Sequence, residues 1–100
     1  MPAKEFTARA EWLAAIGEPT RLAIIQTLVT EAKTVTQIAA ALQTEMVNVS
    51  HHLKLMRDAG LVENEKDGRF VIYRLLGAKV SGHILELSHE SGVKVTLPLS

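Results

Sequence analysis

Two adjacent histidines, His51 and His52, are the residues whose chemistry most needs an explanation. They lie in the stretch VSHHLKLMRDAGLV, residues 49–62, whose apolar side chains recur at helical spacing. Neighbouring side chains on a helix point about 100° apart, so the pair cannot easily chelate one metal ion, and helical zinc sites use i, i+4 spacing. Ser50 and His51 are also neighbours, which does not align a base on a nucleophile. The pattern therefore favours neither a metal pair nor a catalytic pair.

The two histidines are expected to point in different directions. Val49, Leu53 and Met56 form the apolar stripe of this helix, and His52 lies about 60° from Val49, at the margin of the stripe. We expect His52 to be half-buried with one hydrogen bond. The opposite side carries the residues that are candidates for DNA contact: Val47, Asn48, Ser50, His51 and Lys54.

Each of these side chains suits a part of a DNA surface. Asn48 can read adenine, Ser50 can contact a base or a phosphate, and His51 can donate to or accept from a base edge. Lys54, one turn further on, is expected to meet a phosphate. The alternative is an ordinary solvated helix face that has no partner.

The helix that carries these residues, from about Glu45 to Ala59, is preceded by another short helix. In the segment TVTQIAAALQ, Thr36 is the expected N-cap, and only Gln43, Thr44 and Glu45 separate this helix from the next periodic run, which predicts a helix-turn-helix. Two further helices are expected upstream, over residues 3–16 and from Pro19 to about Thr30. In the second of these, the expected apolar stripe is Leu22, Ile25, Leu28 and Val29.

A β-hairpin is predicted downstream, in VENEKDGRFVIYRL, around Asp67-Gly68. Its candidate phosphate partners are Lys66, Arg69 and Arg74. Because the same hairpin carries Glu63, Glu65 and Asp67, residues 63–76 are net neutral. The hairpin should therefore contribute less to DNA affinity than a basic one, unless the acidic side chains face away.

The remainder is expected to be a last helix over residues 78–91, with Val80, Ile84 and Leu87 as its stripe. The tail, residues 92–100, alternates like a strand that Pro98 would confine to a sheet edge. Together the patterns predict one domain, residues 1–100, mainly α with a small β-hairpin. The predicted order α-α-α-α-β-β-α is that of a winged helix-turn-helix.

Composition excludes several classes of function. The 100 residues contain no cysteine, which removes disulfides and thiolate metal sites, and the 11 basic residues balance 11 acidic ones. No apolar run approaches the roughly 20 residues of a membrane span, so we expect a cytoplasmic protein without a membrane partner. Neither a Gly-rich phosphate loop nor a nucleophile elbow is present, so we expect no enzyme and no cofactor.

Three stretches carry a family resemblance: GEPTRLAII, SHHLKLMRDAGLV and DGRFVIYRL. Together, over about residues 10–76, the chain resembles the ArsR-type transcriptional regulators. The resemblance implies a homodimeric repressor of a palindromic site in double-stranded DNA, released by a signal that the sequence does not identify. It also implies that the helix-turn-helix enters the major groove and that the hairpin, as a wing, touches the flanking backbone.

The resemblance further implies that the first and last helices, within residues 1–16 and 78–91, build the dimer interface. The side chains expected to hold the two copies together are Phe6, Trp12, Leu13, Ile84 and Leu87. The thiolate sites of the family require cysteine where this chain has residues 34–37, TVTQ, so that class of sensor is excluded. Another family site lies on the last helix. Here it would use His83, Glu86 and Glu90, which makes a metal-responsive repressor one alternative.

The turn that begins the candidate recognition helix departs from the pattern of the family. It reads Glu45-Met46-Val47, where Ser, Gln or Thr is common. Glu45 would repel a phosphate, and Met46 and Val47 can only touch thymine methyl groups. This departure keeps a second alternative open, a winged-helix module that binds proteins and not DNA.

Overall fold

The computed structural model describes residues 3–99. The predicted domain, residues 1–100, also includes Met1, Pro2 and Ser100. These three residues, of which the first two belong to the predicted first helix segment and the last to the tail, lie outside the described residues. The helices are α1 (Lys4–Ile16), α2 (Pro19–Leu28), α3 (Val35–Leu42) and α4 (Met46–Asp58). The strands are β1 (Lys33–Thr34), β2 (Val62–Asp67), β3 (Phe70–Leu75), β4 (Ala78–Ser81), β5 (Ile84–Ser88) and β6 (Lys94–Pro98). They form two antiparallel sheets, in the orders β1-β3-β2 and β4-β5-β6.

The beginnings of α2 and α3 are set by side-chain caps. Pro19 is the first residue of α2, and the Glu18 carboxylate accepts a hydrogen bond from the backbone N–H of Arg21 at 2.8 Å. That hydrogen bond lowers the pKa of Glu18. Thr34 caps α3 through a reciprocal pair of hydrogen bonds with Gln37. The expected cap at Thr36 was therefore wrong, because the capping box T-x-x-Q begins two residues earlier.

The turn between α3 and α4 confirms the predicted helix-turn-helix. Gln43 closes α3 in the left-handed conformation, with φ of 52°, and α4 begins three residues later. The apolar stripe of α4 is confirmed as well, since Val49, Leu53 and Met56 are fully buried. In α2 the expected stripe was wrong at Leu22, which is 41% exposed, whereas Ile24 is fully buried.

The predicted wing is present as the β2–β3 hairpin. Asp67 pairs with Phe70, so the turn consists of Gly68 and Arg69, and Gly68 supplies the positive φ of 63°. With four helices in front of it, this hairpin completes the winged helix-turn-helix. Strand β1 joins the hairpin through β3 and extends it to three strands.

The predicted last helix was wrong, because residues 78–91 form strands β4 and β5 and the two turns around them. Val80, Ile84 and Leu87 are spaced as on a helix, but Leu85 and Leu87 also alternate as on a strand. The dipeptides Ser81-Gly82 and Ser91-Gly92 are turn signals, and both glycines have positive φ. The strand expected in the tail is confirmed as β6, at a sheet edge.

The second sheet covers α1. Leu85 and Leu87 are buried in the same core as Trp12, whose ring centroid lies 5.5 Å from that of His89. The Arg9 guanidinium donates a hydrogen bond to the carbonyl of Ser91 at 2.9 Å. The sheet therefore takes the place beside α1 that the sequence assigned to a last helix.

The expected dimer contacts change as a consequence. Trp12 and Leu87 are fully buried within one chain, so their assignment to the dimer interface was wrong. Phe6, Leu13 and Ile84 are exposed by 55%, 42% and 45%.

Within residues 3–99, no helix has the length and apolar character that crossing a bilayer requires.

Candidate nucleic-acid interface

The exposed side of α4 brings together all five of its predicted contact residues. Val47 is 78% exposed, and Asn48, Ser50, His51 and Lys54 are also exposed. The opposite side of the same helix lies in the core. Short polar groups near the N-terminal half of an exposed helix are suited to base edges in a major groove.

The first turn of α4 has a different character. Glu45 occupies the N-cap position, but its side chain makes no capping hydrogen bond. Met46 is 50% exposed, and the hydroxyl of Thr36 on α3 lies 3.9 Å from its sulfur atom. An apolar pair, Met46 and Val47, therefore precedes the polar residues on this surface.

The orientation of α4 is fixed by Arg21, a residue that the sequence patterns did not single out. Its Nη1 lies 3.1 Å from Nδ1 of His52, and because arginine offers only donors, Nδ1 is the acceptor. Arginine Nε and Nη2 donate to the carbonyls of Ala15 and Ala14, at 2.8 and 3.1 Å. One guanidinium thus joins the last turn of α1 to the middle of α4.

His52 behaves as the helical wheel predicts. It is half-buried and hydrogen-bonded to Arg21, whereas His51, one step along the helix, is exposed. The motif PTRLAII contains Arg21, but its role depends on two backbone carbonyls of another helix. No spacing argument on α2 alone could have found it.

The acidic side chains of the wing lie on one face. Glu63 and Glu65 are paired with Arg74, and these ion pairs raise the pKa of Arg74. The sequence suggested Arg74 as a phosphate partner, but its guanidinium is already paired with two carboxylates. Lys66 lies on the opposite face of β2, since successive side chains of a strand alternate.

Two cations of the wing remain for phosphates. Lys66 and Arg69 are exposed, and Arg69 occupies the hairpin tip. No ion pair within residues 3–99 involves either of them. Residues 63–76 are neutral in sum, but two of their three carboxylates are paired with Arg74 on one face, whereas Lys66 and Arg69 are exposed and unpaired among the described residues.

A groove of about 560 Å³ separates α1 from α4. Its polar lining includes Glu11, His51, Lys54 and Asp58. The Lys54 ammonium lies 3.2 Å from the Asp58 carboxylate, but both side chains are more than half exposed. Such surface ion pairs are weak, so Lys54 can exchange this partner for a phosphate.

The residues of the metal alternative do not come together. His83 lies in the β4–β5 turn and Glu90 in the β5–β6 turn, at opposite ends of β5, while Glu86 pairs with Lys94. Within residues 3–99 no group of three or more His, Asp and Glu side chains is arranged to hold a metal ion. The shared helix face on which this alternative rested is absent, because the segment is a hairpin.

Comparison with known proteins agrees with this geometry. Residues 16–65 match the family described as a helix-turn-helix domain. The chain is 33% identical over 91 residues to the HTH-type transcriptional repressor SmtB of Mycobacterium tuberculosis, covering 91% of this chain and 67% of that protein. It is 34% identical over 82 residues to the transcriptional regulator NmtR of the same species, covering 82% and 68%.

Solved structures show the same fold. A possible transcriptional regulator for arsenical resistance is 39% identical, with a TM-score of 0.63, covering 66% of this chain and 69% of that chain. A homodimeric winged helix-turn-helix DNA-binding domain from Mycobacterium bovis is 27% identical, with a TM-score of 0.68, covering 70% and 65%. About a third of each of these relatives therefore lies outside the aligned region. This chain belongs to the ArsR-type family of winged helix-turn-helix transcriptional regulators.

Proposed function

We propose that this protein is a repressor that binds a palindromic operator in double-stranded DNA as a homodimer. The observation that carries the proposal is the exposed surface of α4, on which Asn48, Ser50 and His51 stand together while the other side is fixed in the core. Two copies of α4 would enter successive major grooves about 34 Å apart.

Base recognition belongs to the N-terminal half of α4 in this proposal. The Asn48 amide suits the paired donor and acceptor of adenine, and Val47 suits the methyl group of thymine. His51 offers a donor or an acceptor to a neighbouring base edge, and Ser50 reaches a base or a phosphate. These contacts would decide which sequence is bound.

Three cations would supply the contacts that do not depend on sequence. Lys54 meets a phosphate beside the major groove, while Lys66 and Arg69 carry the wing onto the flanking backbone. Each neutralised phosphate releases a counterion, so these contacts set the affinity and its dependence on salt. The pairing of Glu63 and Glu65 with Arg74 supports this role, because it confines two carboxylates to the other face of the wing.

Dimerisation is supported by apolar side chains that one chain leaves uncovered. Phe6 and Leu13 recur at a spacing of seven on α1 and are exposed by 55% and 42%. Two exposed apolar side chains on one face of a helix favour a protein interface there. The homodimeric state of the M. bovis domain, whose fold this chain shares, agrees with the assignment.

The protein would act in the cytoplasm, without an enzymatic reaction. A regulatory signal would act by binding the DNA-competent and DNA-free arrangements of the dimer unequally.

A second candidate function is a winged-helix module that binds another protein. It is favoured by the exposed Met46 and Val47 in the first turn of α4.

A gel shift separates these two functions. The probe is the DNA upstream of the gene for this protein, and the control is random DNA of the same length, at about 150 mM salt. The proposal expects a retarded band with two copies per DNA only on the upstream probe. Equal affinity for both probes would exclude the repressor and leave the protein-binding module.

A further inference from the structure

The two sheets together have four edges, and three of them carry features that prevent pairing with another chain. Strand β1 is only two residues long, and β2 carries Glu63, Glu65, Lys66 and Asp67. Strand β6 ends at Pro98, which has no N–H to donate. Short length, charge and proline are the usual means by which proteins block sheet edges.

Strand β4 has four residues, twice the length of β1, and it carries one lysine but no acidic residue and no proline. Its sequence is AKVS, and all four residues are exposed. Gly82 and His83 form the two-residue turn to β5, so Ser81 and Ile84 close the hairpin, and Gly77 accepts from the backbone N–H of Ser88 at 3.0 Å. Along β4, the odd-numbered residues therefore form the backbone hydrogen bonds to β5. The N–H and C=O groups of Ala78 and Val80 therefore point away from the sheet.

The side chain of Val80 is also uncovered. Because it pairs with Leu85, it lies on the apolar face that packs on α1. Leu85 is 1% exposed, whereas Val80 is 49% exposed. The core therefore ends before β4. The apolar side chain of Val80 is exposed next to backbone N–H and C=O groups that have no partner strand within residues 3–99.

We propose that strand β4 pairs antiparallel with β4 of a second copy of this chain, joining two three-stranded sheets into one of six strands. This inference specifies the interface of the dimer in the proposed function. A two-fold axis perpendicular to the sheet keeps both apolar faces on the same side. Opposite residues must then both have even numbers or both have odd numbers. The two registers with the largest overlap of the four-residue strands are centred on Lys79 and on Val80.

Charge decides between the registers. In one, Lys79 stands opposite Lys79 of the partner subunit, and like charges directly opposite each other are destabilising. In the other, Val80 stands opposite the partner's Val80, and Lys79 stands opposite the partner's Ser81. The second register also buries the two exposed valines against each other.

The pairing is compatible with contacts through α1. The helix contacts the turn after β5 through Trp12 and His89 and through Arg9 and Ser91. Trp12 also shares one buried core with Leu85 and Leu87 on the apolar face of the sheet. With both apolar faces on one side, the two copies of α1 also lie on that side, one on each flank of the two-fold axis. The dimer would therefore be held by a continuous sheet and by the exposed stripe of α1.

Disulfide trapping tests the pairing directly, because the chain has no cysteine of its own. In the chosen register the Cα atoms of residue 80 in the two copies lie about 5.5 Å apart, within the range that a disulfide spans. The full-length variant Val80→Cys is treated with diamide and run on a non-reducing denaturing gel. The control is Thr96→Cys, another exposed position, on the other edge of the same sheet.

The expected result is a cross-linked dimer of Val80→Cys that forms at least ten times faster than that of Thr96→Cys. A second pair of variants, Val80→Lys and Thr96→Lys, is measured by sedimentation velocity, with circular dichroism to verify folding. Val80→Lys should raise the dimer dissociation constant at least tenfold, and Thr96→Lys should leave it unchanged.

Failure of this inference differs from failure of the proposed function. If the wild-type protein dimerises and binds its upstream DNA, but the two cysteine variants cross-link at equal rates, the β4 pairing is wrong and the repressor stands. If Val80→Cys cross-links but the wild-type protein binds upstream and random DNA alike, the pairing stands and the repressor is wrong.

Discussion

The neighbouring histidines differ in role because one step along a helix turns the side chain by about 100°. That rotation carries His51 to the exposed side and His52 to the margin of the core, and both positions could be predicted from the apolar stripe. The partner of His52 could not be predicted, because Arg21 reaches it from another helix. The engagement of Arg74 was missed for a similar reason, since it depends on the register of the hairpin.

Arg21→Met should lower the free energy of unfolding by about 2 kcal/mol, because its two partly buried hydrogen bonds contribute about 1 kcal/mol each and its exposed one contributes less. Urea denaturation measures the loss. The matched control is Arg57→Met on α4, whose ion pair is long, at 3.9 Å, and exposed. If the two variants lose equal stability, Arg21 does not join α1 to α4 as described.

The Glu18 cap predicts a dependence of stability on pH. Hydrogen bonding to the backbone of Arg21 holds the pKa of Glu18 in the folded protein below its ordinary value of 4.5. The unfolded chain therefore binds the proton more readily, and the carboxylate stabilises the fold fully above that value. As pH falls through the lowered pKa, this contribution is lost.

Glu18→Gln keeps an acceptor at this position but removes the charge. The stability difference between the wild-type protein and this variant should be constant above about pH 5.5 and should shrink below about pH 4.5. Urea denaturation between pH 3 and pH 7 measures it. A difference that grows toward acid would contradict the assigned cap.

Among the elements, the four helices and the wing were predictable, because apolar residues at helical spacing and a turn dipeptide indicate them, even though the cap expected at Thr36 and the stripe residue Leu22 were wrong. The segment 78–91 was not, because its apolar residues satisfy helical spacing and strand alternation at the same time. The glycines at its turns decide between the two structures. Gly77, just before β4, has φ of 63°.

Gly77→Ala should destabilise the second sheet far more than Gly82→Ala. Both positions have positive φ, which costs an alanine about 1–2 kcal/mol. A Cβ atom at Gly77 would also lie 2.2 Å from the carbonyl oxygen of Ser88, whereas one at Gly82 meets nothing within 4 Å. Thermal unfolding compares the two variants, and equal melting temperatures would contradict the close approach of β4 to β5.

At the scale of the whole molecule, a net charge of zero does not prevent DNA binding, because the charges are separated in space. Glu63 and Glu65 are paired with Arg74 on one face of the wing, while Lys66 and Arg69 take part in no ion pair within residues 3–99. Composition could not reveal this separation, which depends on the parity of residues along β2. The same total therefore fits a protein with a local DNA-binding surface.

The dependence of DNA affinity on salt should report this arrangement. Arg69→Ala and Lys66→Ala should each reduce the slope of log K against log salt by about 1, since each removes one phosphate contact. Arg74→Ala should leave the slope almost unchanged, because its guanidinium is held by Glu63 and Glu65. Fluorescence anisotropy from 50 to 300 mM salt gives the slopes. A larger effect of Arg74→Ala than of Arg69→Ala would contradict the assigned faces.

The most direct test of the central claim, that the exposed surface of α4 reads a DNA sequence, is the ratio of operator affinity to random-DNA affinity at about 150 mM salt. The wild-type ratio should be at least about 10³. Asn48→Ala should lower it by about tenfold or more, and Arg69→Ala should weaken both affinities while preserving the ratio. A ratio near one for the wild-type protein, or a ratio that Asn48→Ala leaves unchanged, would contradict the account.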